Sequence, residues 1–207
     1  MQIVVKASAQ QQKAFLSKSL PANSRIYWYG TDILPEEADA WFDLCFEEEG
    51  PVFLEMTDNI VFANAVLSPT LTLPGHYVRI NAWNGFLERP VTEIAHGEHD
   101  AAVKTIMEKL DWSFTLVPDV AGMVSARIIS MIINEAYFAW GDEVSSKADI
   151  DTAMKLGTNY PFGPFEWCEK IGIHKIHQLL SILSKEDERY TPAPALVDEY
   201  AQLNKKA

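Results

Sequence analysis

Apolar positions along this chain change character near residue 117. Before it they come as short runs broken by polar and turn residues. Ile3-Val4-Val5 predicts a buried strand. Residues 9–19 are polar and Gln-rich with Phe15, Leu16 and Leu20 on one side, which predicts a helix. Arg25-Ile-Tyr-Trp-Tyr-Gly30 is aromatic and β-branched and predicts a second strand. Trp41–Phe46 fits strand or helix; strand is preferred because Glu47–Glu49 and Gly50-Pro51 end the run abruptly. Val52–Met56, Ile60–Ala65 and Tyr77–Ala82 continue the strand pattern, and Phe114–Val117 adds another. Between them Asp100–Leu110 carries Ala102, Val103, Ile106, Met107 and Leu110 at helical spacing.

From Met123 to Val144 the chain is apolar, without Gly or Pro before Gly141, and apolar residues fall all round the helix this predicts. That pattern calls for burial on most sides. Ser146-x-x-Asp149 resembles a capping box for a helix running to about Leu156, and Gly157 sits where its end would take a left-handed residue. Phe165–Ile171 and Lys175–Ser184 predict short helices, the latter with a stripe of Ile176, Leu179, Leu180 and Leu183. Pro192 and Pro194 precede a last helix, about Ala195–Asn204. Mixed α/β followed by all-α divides the chain into residues 1–118 and 119–207.

Composition narrows the function classes. With 48% hydrophobic residues over 207 positions, a substantial core is available. Twenty-nine acidic against 17 basic residues give a net charge of −12, which repels phosphate backbones and excludes general nucleic-acid binding. Cys45 and Cys168 form no disulfide framework, no apolar run reaches membrane-spanning length, and Met1-Gln-Ile-Val-Val-Lys6 lacks a signal-peptide pattern, so a cytoplasmic protein without membrane contact is expected.

The second half carries ordered motifs. Val117-Pro-Asp-Val-Ala-Gly122, Arg127, Asn134-Glu-Ala136, Asp149-Ile-Asp151, Gly157, Pro161-Phe-Gly-Pro-Phe-Glu166 and Gly172 occur in sequence. This resembles the C-terminal domain of the 3-hydroxyacyl-CoA dehydrogenases. Upstream, Asn64, Asn81-Ala-Trp-Asn-Gly85 and Val91-Thr-Glu-Ile94 fall where that family has Asn-Thr-Ser-Ser, His-Phe-Phe-Asn-Pro and Val-Glu-Val. The resemblance implies a shortened Rossmann-like α/β domain followed by a helical domain of about five helices that forms a dimer. In the family an NAD-dependent enzyme uses a histidine as base, a glutamate twelve residues later to orient it, and a serine and an asparagine to fix the substrate oxygen.

The chemistry implied by the resemblance is altered here. The strand-to-helix turn Lys6-Ala-Ser-Ala-Gln-Gln-Gln-Lys13 holds no glycine, and the first glycine of the chain is Gly30, so side chains block the backbone approach that a pyrophosphate needs. No cofactor is therefore expected, and Asp32 reads as a loop or cap aspartate. The family's histidine falls on Asn81, whose amide cannot act as a base near neutral pH. Glu93 keeps the glutamate position, as a residual orienter or as an exposed strand carboxylate. The family's asparagine falls on Ala126, and its paired hydroxyls after Asn64 read Ala65-Val-Leu67, with Ser68 out of register. Glu169 replaces an aspartate, and His174 displaces an acid after Gly172. His76 lies five residues before Asn81 and points to the other face of a regular strand, while His96 and His99 fall in a polar turn. His174-x-x-His177 lacks a carboxylate or thiol in register for a metal, Cys168 reads as a packed thiol, and Trp41, Trp83, Trp112, Trp140 and Trp167 read as core or interface.

The leading expectation is a family member lacking NAD binding and dehydrogenase chemistry, acting as a binding or structural subunit and dimerising through the helix at residues 122–144. Two alternatives stand. One is an active NAD-dependent 3-hydroxyacyl-CoA dehydrogenase of fatty-acid metabolism with a divergent site and a shifted base such as His96. The other is an acyl-CoA-binding module.

Overall fold

A computed structural model describes residues 1–205. It separates into two compact units, Met1–Val124 and a second beginning at Ser125. The boundary lies beyond Pro118 because Asp119, Gly122 and Met123 all pack on the first unit. Asp119 pairs with Arg79, the Gly122 N–H donates to the Val66 carbonyl at 2.8 Å, and Met123 is buried with Ala95 and Val117.

The first unit is a seven-stranded sheet. In chain order the elements are β1 (Gln2–Lys6), α1 (Ala9–Leu16), β2 (Arg25–Trp28), β3 (Ala40–Asp43), α2 (Phe46–Glu49), β4 (Val61–Asn64), β5 (Tyr77–Ile80), β6 (Val91–Ala95), α3 (Asp100–Leu110) and β7 (Ser113–Val117). The spatial order is β2-β1-β3-β4-β5-β6-β7, with β1 to β5 parallel, β6 antiparallel to β5, and β7 parallel to β6. Strands buried on both faces read as unbroken apolar runs, as Ile3-Val4-Val5 does.

The two faces are covered differently. Ile3, Val5, Phe42, Phe62 and Ile80 pack under α1 and α3 through Phe15, Val103, Met107 and Leu110. The opposite face, with Val4, Trp41, Val61, Ala63 and Tyr77, is covered by Phe53, Leu73 and irregular chain. This corrects the expected strand at Val52–Met56. Phe53 is buried edge-on against Trp41 at 5.3 Å, but as a loop residue lying over the sheet. The acidic run at 47–49 forms the single turn of α2. Of the three apolar residues expected on one side of the α1 segment, Phe15 is in the core and Leu20 packs partly buried against it, whereas Leu16 is exposed.

The second unit is helical: α4 (Ser125–Gly141), α5 (Lys147–Thr158), α6 (Pro164–Ile171), α7 (Ile173–Leu183) and α8 (Pro194–Asn204). Helix α4 packs against α6, α7 and α8. Its core side includes Ile129, Ile133, Ala136 and Tyr137, and Tyr137 meets Phe165 edge-on at 5.0 Å. Where burial on most sides is expected, Ile128 is 55% exposed and Phe138 36%. The left-handed residue ending α5 is Asn159 (φ 56°) rather than Gly157, which stays inside the helix.

The family-like motifs of this unit do structural work. Asp151 accepts the N–H groups of Phe165 (2.8 Å) and Glu166 (3.2 Å), satisfying the open first turn of α6. Glu166 reaches back to the Gly163 N–H at 2.9 Å and also pairs with Lys155. A side chain at Gly163 would meet Asp151 atoms at 2.3–2.4 Å, so the glycine is needed for this cap. Asn134 donates to the Thr191 carbonyl (2.9 Å) and accepts the Ala193 N–H (2.8 Å), tying α4 to the segment that enters α8.

Candidate functional site

Strand order reverses at β1, which lies between β2 and β3. In open α/β sheets, ligands bind beyond the carboxyl ends of the strands at such a point. The residues that matter are therefore those following β1, β3, β4 and β5.

After β1 the chain passes through Ala7 and Ser8 directly into α1. Ser8 Oγ accepts the Gln11 N–H at 3.4 Å, and Gln11 Oε1 accepts the Ser8 N–H at 2.9 Å, a complete capping box. Gln11 is buried, donates through Nε2 to the Leu44 carbonyl, and accepts from Cys45 Sγ at 3.3 Å. The helix start that a pyrophosphate would use is thus filled by a glutamine of the same helix. Lys6, at the end of β1, pairs with Glu49 at 2.7 Å. The residues of this turn offer a dinucleotide no glycine approach, and the Ser8 and Gln11 N–H groups are already engaged within the turn.

After β3 stand Asp43 and the one-turn α2. Asp43 is fully buried; Oδ2 accepts the Val52 N–H at 3.2 Å and lies 3.4 Å from Tyr77 Oη, while Oδ1 has no hydrogen-bond partner. Burial pushes its carboxyl up to about 6, and burial likewise raises the Tyr77 phenol to about 12. From α2, Glu47 crosses to the ends of β4 and β5. It accepts the N–H groups of Val66 and Leu67 and the indole N–H of Trp83.

After β4 and β5 come the family-aligned positions. Asn64 accepts the Ala82 N–H at 3.1 Å and donates to the Leu44 carbonyl at 3.3 Å. Asn81 is 2% exposed, and its Nδ2 lies 3.4 Å from Glu93 Oε2. The antiparallel pairing of β5 and β6 brings the two together: the Asn81 N–H donates to the Glu93 carbonyl at 3.1 Å. Glu93 is half-buried. An amide and a carboxylate here can orient and hydrogen-bond a polar group, but the amide cannot accept a substrate proton.

Other residues singled out from sequence are engaged elsewhere. His96 follows β6 three residues past Glu93, about 10 Å along the strand and away from Asn81. There it pairs with Asp100, and His99 contacts the Gly75 carbonyl at 2.6 Å. His76 is buried against the Phe53 carbonyl at 2.9 Å. Asp32 accepts the Trp28 N–H at 2.8 Å as a turn residue. Ser68 is half-buried just past the N–H groups held by Glu47. Ala126 lies fully buried in the first turn of α4. In the helical unit, burial raises the Cys168 thiol to about 11 and it sits 3.8 Å from Tyr137 Oη; His177 stacks on Tyr200 at 4.2 Å. Trp41, Trp83, Trp112 and Trp167 are buried core residues.

Sequence reasoning missed Arg79. Its side chain is fully buried, donates to the carbonyls of Ala65 (2.7 Å), Val66 (3.0 Å) and Val120 (3.2 Å), and pairs with Asp119. Burial would raise the Asp119 carboxyl, but bonds from Arg79 and Thr70 hold it below the usual range. No local pattern announces such a cluster.

Comparisons with known proteins follow the same division. The family model for the 3-hydroxyacyl-CoA dehydrogenase C-terminal domain matches residues 122–207. The 3-hydroxyadipyl-CoA dehydrogenase of Escherichia coli is 45% identical over 82 residues, 39% of this chain and 17% of that protein. The 3-hydroxybutyryl-CoA dehydrogenase of Clostridioides difficile is 34% identical over 131 residues, 59% of this chain and 46% of that protein. The matches thus span less than half the length of these curated relatives. Among solved structures, (S)-3-hydroxybutyryl-CoA dehydrogenase from Ralstonia eutropha superposes with a TM-score of 0.66 at 16% identity, over 97% of this chain and 93% of that one, a likeness of fold.

Proposed function

The chain belongs to the 3-hydroxyacyl-CoA dehydrogenase family, and within it we propose a member without NAD binding or dehydrogenase chemistry, serving as a binding or structural subunit. The observation that carries this reading is the buried Asn81 amide beside Glu93, where the resemblance calls for a histidine base. The Ser8–Gln11 capping box supports it, since it uses the donors a pyrophosphate would need. His96, the shifted base that an active enzyme would require, stands at the far end of β6.

We place the subunit in a homodimer in the cytoplasm. The dimer is supported by the exposed apolar side chains Ile128 and Phe138 on α4, and the compartment by two free cysteines. Among the described residues no helix is long and apolar enough to cross a membrane.

A second reading, an active NAD-dependent dehydrogenase, draws on the names of the relatives and on the surviving Glu93 contact. A thermal-shift screen with NAD, NADH, coenzyme A and acetoacetyl-CoA, followed by an assay of NAD reduction on 3-hydroxybutyryl-CoA, separates the readings. No shift with NAD or NADH and no turnover is the expected result. Turnover abolished by Glu93→Gln would establish the enzyme instead, and a shift with acetoacetyl-CoA alone would make the protein an acyl-CoA-binding module.

A further inference from the structure

Glu47 is bound as a free carboxylate ligand would be. Oε1 accepts two successive backbone N–H groups, Val66 at 2.6 Å and Leu67 at 2.8 Å, and Oε2 accepts the Trp83 indole N–H at 2.7 Å. Adjacent backbone donors on one oxygen and a side-chain donor on the other make a geometry that recognises anions, and such charge-assisted bonds are stronger than neutral ones. The donors come from the segments following β4 and β5, whereas the acceptor comes from α2, a single turn closed by Gly50 at φ +77°. Trp83 is fully buried, so its N–H needs an acceptor.

We propose that Val66, Leu67 and Trp83 form a carboxylate-binding site which Glu47 occupies in cis, making the side chain a built-in competitor for any small carboxylate that reaches these donors. The inference rests on the reading that these strand ends are not given to a dinucleotide.

The test uses the full chain with Glu47→Ala, which empties the site. The variant is expected to melt lower than the parent. Formate or acetate should then raise its melting temperature saturably, by about 4 °C at roughly ten times the dissociation constant. Equal chloride or acetamide should leave it unmoved, as acetate should leave the parent. A folded variant that responds alike to acetate, chloride and acetamide overturns the proposal. Should Glu47→Ala fail to fold, Glu47→Gln keeps the shape and removes the charge. The Trp83 indole N–H resonance should then move upfield, and an unmoved resonance overturns the proposal. NADH binding would break the reading of the cofactor turn, whereas absence of carboxylate rescue would break this inference alone.

Discussion

The two units of this chain use their polar residues in opposite ways. In the helical unit, Asp151, Gly163, Glu166 and Asn134 are polar or small for reasons of architecture: they cap α6 and fasten the segment entering α8. In the α/β unit, Gln11, Glu47, Asn64 and Asn81 stand where the fold would offer a ligand its contacts, and they bond instead to the backbone of Leu44, Val66, Ala82 and Trp83. Under the proposed function, the difference is that of a motif outliving a reaction. Residues that close a helix end are kept in place by folding, whichever chemistry the molecule performs. On the same proposal, donors that no longer meet a cofactor need internal partners, because an unsatisfied buried donor costs about 1–3 kcal/mol.

The largest effect that would sharpen this contrast is expected at Arg79. Arg79→Met leaves Asp119 and three buried carbonyls without their donor and should cost about 3 kcal/mol in urea unfolding. That is the lower end for a broken buried pair, because Asp119 keeps Thr70 and some solvent. A loss below about 1 kcal/mol would show that the cluster does not hold the first unit together. On the helical side, Gly163→Ala should cost about 2 kcal/mol by forcing Asp151 off the α6 N–H groups. Calorimetry that finds the variant as stable as the parent would remove the architectural explanation of the Gly-Pro-Phe-Glu motif.

Another effect depends on pH. Asp43 has its carboxyl raised to about 6 in the folded protein against an ordinary value near 4, so its charged form is disfavoured by folding. The penalty is absent below about pH 4, grows between about 4 and 6, and is full above that. Asp43→Asn should accordingly stabilise by roughly 2–3 kcal/mol more at pH 8 than at pH 4, read as urea midpoints. A gain that is equal at both values would contradict the assignment to Asp43 charge. The smallest effect on stability should come from Ile128→Glu, within about 0.5 kcal/mol for the isolated unit fold, while it shifts light-scattering mass toward the monomer. An unchanged mass would move the dimer interface away from α4.

Much of this architecture is legible in the sequence because it rests on local period and turn chemistry. The run at Ile3–Val5, the spacing of Val103, Met107 and Leu110, and the Ile176–Leu183 stripe each report which face is buried. Val52–Met56 misleads, since an apolar run cannot say whether Phe53 is covered as a strand or as a loop over a sheet. The substitutions at Asn81, Ala126 and the Lys6–Gln11 turn are visible as residue types. Their consequence is not, because it depends on partners far along the chain: Gln11 meets Leu44, Glu47 meets Trp83, and Arg79 meets Asp119. Buried charge is set by such distant pairings, which no window of sequence contains.

The proposed loss of the cofactor site is tested most directly by titrating the purified protein with NADH and following energy transfer from tryptophan to the nicotinamide. The closed Ser8–Gln11 turn predicts no saturable transfer up to about 1 mM. Saturable transfer, displaced by NAD, would contradict it and return the chain to the working dehydrogenases.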